Sequence, residues 1–141
     1  MLKHKLTHPQ ILAALGQAGH GSKVLIADGN YPFSTGSNPD AEHVYLNLTR
    51  GFAPVDQVLE VLVEAVPIEA AFVMMPDDGR EPPIFARFRE VLGEGIPLQP
   101  LGRFAFYDAA RSCDVALVIA TGEQRIYANI LLTVGVVPPD A

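Results

Sequence analysis

Short, continuous apolar runs alternate along this chain with stretches whose apolar residues recur at helical spacing. The runs have the length of strands and predict five of them, at residues 23–27, 43–48, 70–75, 115–120 and 129–134. The stretches around them predict four helices, which begin near Pro9, Pro54, Ile84 and Arg103. Strands that are apolar throughout are typical of sheets buried on both faces, so the alternation predicts an α/β sheet covered by helices on both sides.

The composition limits the kind of protein. A length of 141 residues fits one domain, residues 1–141. Apolar residues make up 49% of the chain, which is high for this size and indicates apolar surface covered by subunit contacts. A net charge of −6 without a basic stripe argues against nucleic-acid binding, and no apolar run approaches the roughly 20 residues of a membrane span. A single cysteine, Cys113, and no signal peptide favour a cytoplasmic location, and we expect Cys113 in the core.

Polar residues stand where two of the predicted strands end. Asp28 follows the run at 23–27, and a polar cluster at residues 121–127 follows the run at 115–120. Ligands of open α/β sheets bind beyond the strand ends, so we look for chemistry there. Asp28 fits either a turn-capping carboxylate or one that binds a hydroxyl group or orients His20.

Three further residues have both a functional and a structural interpretation. His20, between two glycines, is either a solvated histidine at a helix end or a proton-transfer group that titrates near neutral pH. Tyr127 and Asn129, two positions apart, would point to the same side of a strand. A phenol and an amide side by side suit a polyol, although a strand-end tyrosine with a satisfied hydroxyl is an equal alternative.

The segment Arg103-Phe104-Ala105-Phe106-Tyr107 has an ordinary explanation too. Arginines of this kind are mostly surface charges, and we expect Phe104 and Phe106 in the core. We expect Glu123 to be a solvated turn residue rather than a subunit contact. The four histidines and Cys113 lack metal-ligand spacing, and no phosphate loop or nucleophile motif occurs, so no metal or cofactor is expected.

Several motifs taken together resemble the D-ribose pyranase / L-fucose mutarotase family over nearly the whole chain. They are Gly19-His20-Gly21, Ala27-Asp28-Gly29, the segment 103–107, and Thr121-Gly122-Glu123 followed by Tyr127-Ala128-Asn129-Ile130-Leu131-Leu132. The segment 103–107 and the last motif are more similar to the fucose branch, because the pyranase branch typically has histidine near Arg103. Asn30 departs from that branch, in which histidine is common at this position.

The resemblance implies a fold, an activity and a site. The fold is a three-layer α/β/α domain with a mostly parallel sheet, assembled into a homo-oligomeric ring, commonly a decamer of two stacked pentamers with sites near subunit contacts. The activity is cofactor-free interconversion of α and β anomers of a fucose-like monosaccharide. His20 would be the catalytic acid/base, and Asp28 and Tyr127 would be the other catalytic residues. The sugar would contact Asp28, Arg103, Tyr127, Asn129 and the backbone of Ala128.

Two other functions remain open at this stage. The first is a non-catalytic monosaccharide-binding or sugar-transport accessory protein on the same fold, which would bind sugar without accelerating anomer exchange. The second is a structural ring subunit whose site has decayed, against which the presence of His20, Asp28, Tyr127 and Asn129 argues.

The mutarotase would exchange protons by positioned acid–base groups, with Tyr127 a poor base because its ordinary pKa is about 10.

Overall fold

A computed structural model describes residues 1–140. The elements follow in chain order as α1 Pro9–Gln17, β1 Lys23–Ala27, β2 Glu42–Tyr45, α2 Val55–Ala65, β3 Ile68–Met74, α3 Ile84–Leu92, β4 Leu98–Leu101, α4 Arg103–Ala110, β5 Val115–Ala120 and β6 Ile130–Val134. All four predicted helices and all five predicted strands are present. The strand predicted at 43–48 is shorter, because the chain leaves the sheet after Tyr45.

One strand was missed from the sequence. β4 consists of Leu98-Gln99-Pro100-Leu101 and pairs in parallel with β3 at the edge of the sheet. A proline within four residues argues against a central strand, but an edge strand tolerates it because one side of its backbone has no strand partner. Pro100 is therefore the reason that this short strand was not predicted from the sequence.

The six strands form one sheet in the order β2-β5-β1-β6-β3-β4. β1 pairs in parallel with β5, as β2 does with β5, while β6 runs antiparallel to both of its neighbours, β1 and β3. Five strands therefore share one direction and β6 alone is reversed. The prediction of a mostly parallel central sheet is confirmed.

Helices cover both faces of the sheet. Alternate residues of β1 show the division: Val24 and Ile26 belong to the core that α1, α2 and α3 build, whereas Leu25 and Ala27 belong to the core under α4. Phe106 anchors α4 in that second core and is fully buried. The predicted three-layer α/β/α arrangement is thus confirmed.

Two predictions about buried residues were wrong. Phe104 is 71% exposed, because it lies on the outer side of α4 while Phe106, two residues later, points into the core. Cys113 is also exposed, since it lies in the turn between α4 and β5 rather than in the strand that follows.

Candidate functional site

The polar residues named from the sequence meet at one edge of the sheet. The parallel strands β1 and β5 end there, so Asp28 and Thr121 lie at this edge. β6 runs the other way and begins there, which brings Asn129, the residue before it, to the same place. A nine-residue segment, 121–129, which we call the site loop, connects β5 to β6 and passes the end of β1 between them.

Asp28 and Asn129 are joined by two hydrogen bonds. The backbone N–H of Asp28 donates to Asn129 Oδ1 at 2.7 Å, and Asn129 Nδ2 donates to Asp28 Oδ2 at 3.2 Å. Both residues are buried, although they are 101 positions apart in the chain. Each thus fixes the other at the edge of the sheet.

The Asp28 carboxylate accepts two further hydrogen bonds from backbone groups. The N–H of Asn30 donates to Oδ1 at 3.0 Å, and the N–H of Ala128 donates to Oδ2 at 3.2 Å. Burial raises the pKa of the Asp28 carboxyl, and the donors from Asn30, Ala128 and Asn129 only partly oppose that rise. The carboxylate is therefore held in one orientation and is more basic than an exposed aspartate.

A cavity of about 220 Å³ opens beside this carboxylate. Its lining includes Asp28, Arg103, Tyr127 and Asn129, together with Asn30, Tyr31, Met74, Tyr107 and Ile126. Its volume lies below the roughly 300–1,000 Å³ of sites for drug-sized molecules, so it suits a smaller ligand. Four of the five residues expected to contact the sugar are brought together here, and the fifth, Ala128, lies beside them with its N–H bound to Asp28.

Arg103 stands at the rim of the cavity on the first turn of α4. Its Nε donates to the Tyr107 hydroxyl at 3.2 Å, and its guanidinium lies 5.2 Å from the centre of the Phe104 ring and 5.5 Å from that of Tyr107. These aromatic contacts restrict the guanidinium and leave donors of the planar fork available to a ligand. The exposed Phe104 ring therefore packs against the Arg103 guanidinium and helps to restrict it.

Tyr127 has a left-handed backbone conformation, with φ at 58°. Such a conformation is uncommon for a residue with a bulky side chain, so the surrounding contacts must hold it. Tyr127 is half-buried and lines the cavity together with Asn129. The two side chains reach one cavity because of this turn, since Tyr127 precedes the strand rather than belonging to it.

His20 lies far from this cavity within one chain. It precedes β1 whereas Asp28 follows β1, and five strand residues span roughly 16 Å. Its neighbour Gly21 bonds to Val134 at the far end of β6, and His20 Nε2 lies 2.9 Å from Glu69 Oε2. A single chain therefore pairs the exposed His20 with Glu69 and does not bring it to Asp28, which was expected to be its partner.

Sequence analysis missed several residues of the cavity. Tyr31 is buried, donates its hydroxyl to the carbonyl of Gly36 at 2.6 Å, and packs edge-on against Tyr107. Burial raises the pKa of the Tyr31 hydroxyl well above its ordinary value. Tyr107 and Met74 come from α4 and β3. Met74 lies between two apolar residues and Tyr107 follows Phe106, so their neighbours did not distinguish them from core residues.

The expectation for Glu123 was wrong. Its side chain is buried, and its carboxylate accepts a hydrogen bond from the N–H of Val55, the first residue of α2, at 3.0 Å. α2 follows Pro54, whose side chain provides no cap, so Glu123 satisfies a helix N–H from outside the helix. A glutamate in a polar turn, two residues before an arginine, is typical of solvent-exposed loops, so the burial of Glu123 could not be recognised from the sequence.

Within residues 1–140, no group of three or more histidine, cysteine, aspartate or glutamate side chains is arranged to hold a metal ion. None of the helices in those residues is long and apolar enough to cross a membrane.

The fold and the cavity define the class: a three-layer α/β/α protein with a small polar site at the carboxyl edge of its sheet. The chain belongs to the RbsD / FucU transport protein family, which its sequence matches over residues 1–137. It is 31% identical to the fucose mutarotase of Danio rerio, over 94% of this chain and 90% of that protein.

Two solved structures have the same fold. The structure of Bacillus subtilis RbsD complexed with D-ribose superposes with a TM-score of 0.81 at 26% identity, covering 98% of this chain and all of that one. The fucose mutarotase of Streptococcus pneumoniae in complex with L-fucose gives a TM-score of 0.78 at 27% identity, covering 97% of this chain and 100% of that one. The resemblance inferred from the motifs is confirmed at the level of the family.

Proposed function

We propose that this protein is a cofactor-independent sugar mutarotase, an isomerase that interconverts the α and β anomers of a fucose-like monosaccharide. The observation that carries the proposal is the convergence of Asp28, Arg103, Tyr127 and Asn129 on one small cavity. Relatives named as fucose mutarotases support the activity. Carboxylate, guanidinium, phenol and amide groups together offer donors and acceptors in several directions, as a ring of hydroxyl groups requires.

The reaction needs only proton transfers. A base takes the proton from the anomeric hydroxyl, the anomeric C=O forms, the bond from the anomeric carbon to the ring oxygen breaks, and an acid protonates that oxygen. Rotation then presents the other face of the aldehyde. Closure reverses each step, so the two groups exchange roles. Positioned acid–base groups typically accelerate such a step by about 10²–10⁴-fold.

His20 would supply one of the two proton-transfer groups. Since His20 lies at the opposite edge of the sheet from its own cavity, we propose that it serves the cavity of a neighbouring subunit in a homo-oligomeric ring, a decamer. Its side chain is 59% exposed and therefore accessible to another subunit. Glu69, 2.9 Å from Nε2, would orient the imidazole.

The residues of the cavity would bind and orient the sugar. Asp28 accepts a hydrogen bond from a sugar hydroxyl, with Asn129 and the Ala128 backbone holding its carboxylate in place. Arg103 donates to hydroxyl oxygens at the rim. Tyr127 is the second proton-transfer group or a hydrogen-bonding partner of the sugar, and its left-handed backbone places the phenol at the cavity.

The decisive experiment is NMR saturation transfer between the two anomers, measured over a panel of sugars that includes fucose and ribose. His20→Ala should lower the exchange rate by about 10²–10⁴-fold and leave the fold intact. His4→Ala is the matched control, because His4 is also an exposed histidine. Wild-type exchange in His20→Ala would refute the role of His20.

A mixture of two inactive variants tests the shared site. Rings that contain both His20→Ala and Asp28→Asn subunits would have an intact His20 beside an intact Asp28 at roughly one quarter of their sites in a random equimolar mixture. Mixing should therefore restore part of the exchange activity. A single-subunit site would give no restoration. Light scattering should give the mass of a ring, and a monomer at micromolar concentration would contradict the assembly.

The preference for a fucose-like sugar rests on Arg103. A guanidinium has a planar fork of donors, whereas an imidazole offers fewer and is smaller. A hydrogen-bonding group that loses its partner costs about 1–3 kcal/mol, so Arg103→His should lower the anomer exchange rate of fucose by tenfold or more. The exchange rate of ribose should improve relative to that of fucose. A wild-type preference for ribose would contradict this specificity and leave the mutarotase proposal standing.

The family description as transport proteins favours one other candidate, a sugar-transport accessory protein that binds without catalysis. Sugar binding measured by calorimetry without accelerated exchange would support that alternative. Both candidates fit the cytoplasmic location that we propose from the sequence.

A further inference from the structure

Glu123 is a buried carboxylate on the site loop whose hydrogen-bonding capacity is fully used. Oε1 accepts from the backbone N–H of Arg125 and from its Nε, both at 2.9 Å. Oε2 accepts from the N–H of Val55 at 3.0 Å and from Arg125 Nη2 at 2.7 Å. Glu123 does not line the cavity that holds Asp28 and Tyr127, so we do not expect it to contact a sugar bound there.

The main chain of Glu123 is bound on the other side to the end of β1. Its carbonyl oxygen accepts from the N–H of Gly29 at 2.9 Å, and its own N–H donates to Thr121 Oγ1 at 3.2 Å. Gly29 directly follows Asp28, and a side chain at this glycine would lie 2.9 Å from the Glu123 carbonyl oxygen. Glu123 thus connects the segment that follows β1, which carries Asp28, with the helix α2.

Arg125 extends this connection. Its guanidinium binds both oxygens of Glu123 and also donates to Asp56 Oδ1 at 2.7 Å, on the first turn of α2. The site loop is therefore fixed to α2 at residues 123 and 125, immediately before Tyr127 adopts its left-handed conformation. The same turn directs the N–H of Ala128 to the Asp28 carboxylate.

We propose that Glu123 is a positioning residue for the reaction in the cavity. Its carboxylate, clamped between Arg125 and the start of α2, sets the path of the site loop, and through it the place of the Tyr127 phenol and the Ala128 N–H. The inference rests on the proposed function, because the groups it positions are those assigned to sugar binding and proton transfer.

Glu123→Gln tests the inference most directly. The amide keeps an oxygen for the Val55 N–H but presents an NH₂ group to the Arg125 donors, so the loop loses its charged clamp. Because a displacement of about 1 Å can cost 10²-fold in rate, we expect exchange at saturating sugar to fall by roughly 10–100-fold. Glu123 does not line the cavity, so the dissociation constant of the sugar should change less than the exchange rate at saturating sugar. The amide NMR resonance of Ala128 should shift.

Glu64→Gln is the matched control, since Glu64 is a glutamate of α2 in an exposed ion pair with Lys5. That variant should exchange sugar at the wild-type rate. Arg125→Lys is the second variant, used if Glu123→Gln does not fold. It keeps the positive charge but loses the planar fork, and it should lower the exchange rate in the same direction.

Folded Glu123→Gln that exchanges sugar at the wild-type rate would overturn the inference, as would an Arg125→Lys variant with wild-type exchange. A fall in rate explained entirely by lost sugar binding would also overturn it. Absence of exchange in the wild-type protein would refute the proposed function instead, and the Ala128 resonance would then still decide whether Glu123 sets the site loop.

Discussion

Asn129→Ala removes both hydrogen bonds that join β6 to Asp28. The N–H of Asp28 loses its acceptor at 2.7 Å, and the Asp28 carboxylate loses a donor at 3.2 Å. A buried polar group left without a partner costs about 1–3 kcal/mol, and the neighbouring cavity admits water to the carboxylate, so we expect a loss of about 2–4 kcal/mol in the free energy of unfolding. A protein of this size should then melt roughly 5–15 °C lower.

Urea unfolding at neutral pH measures that free energy, and sugar titration measures binding on the same samples. Asn47→Ala is the control, because Asn47 is an exposed loop asparagine, and its truncation should change stability by less than about 0.5 kcal/mol. Asn129→Ala should also weaken sugar binding, since it removes one of the three donors that orient the Asp28 carboxylate.

Asn129→Asp separates hydrogen bonding from charge at the same position. One carboxylate oxygen can still accept from the Asp28 N–H, but the other faces the Asp28 carboxylate, so the pair takes up a shared proton and its pKa in the folded protein rises. The folded state then binds a proton more tightly than the unfolded state, and stability must increase as the pH falls. Wild-type stability in both Asn129 variants at neutral pH would refute the account of this pair.

Two further expectations can be measured with the same unfolding assay. Gly122→Ala should lower the free energy of unfolding by at least about 1–3 kcal/mol, because the new methyl group would overlap the Thr49 carbonyl oxygen and lie 2.9 Å from that of Phe52. Gly16→Ala in α1, where a methyl group meets nothing within 4 Å, should raise it by about 0.5–1 kcal/mol. Equal effects of the two substitutions would contradict the packing described for Gly122. Burial tends to raise the pKa of Glu123, but hydrogen bonds from Arg125 and Val55 lower it overall. The ionised Glu123 therefore stabilises the folded protein above the unfolded-state pKa, near 4.3, and this stabilisation is lost as the pH falls through the lower folded-state pKa. The stability difference between wild type and Glu123→Gln should therefore shrink at acid pH, and a difference independent of pH would contradict the charged clamp.

The layers of the fold could be predicted because the apolar pattern is local. Runs such as Lys23–Ala27 and Val115–Ala120 are recognisable without their partners, since a buried strand is apolar whatever lies beside it. The order and direction of strands are not local. Nothing within residues 130–134 shows that β6 is reversed or that it lies between β1 and β3.

The residues of the candidate site also divide into those that local sequence could indicate and those that depend on distant partners. Asp28, Tyr127 and Asn129 were named because they flank buried strands, where ligands of such sheets bind, and because they match the family motifs. Glu123 was misjudged because its partner, the N–H of Val55, is 68 residues away and belongs to the backbone. His20 was expected beside Asp28 because the family resemblance implies that both belong to the sugar site, but strand β1 lies between them and holds them apart within one chain.

The reversed strand β6 also makes the site depend on the whole sheet. It follows all the other strands along the chain, yet it occupies a central place in the sheet and separates the group β2-β5-β1 from the pair β3-β4. Until residues 130–134 insert, each group has an open edge, and neither contains the partner of Asp28. The cavity is therefore complete only when β6 joins the two groups. Hydrogen exchange of the Asp28 amide should accordingly report on the completed sheet, because its acceptor arrives with that strand.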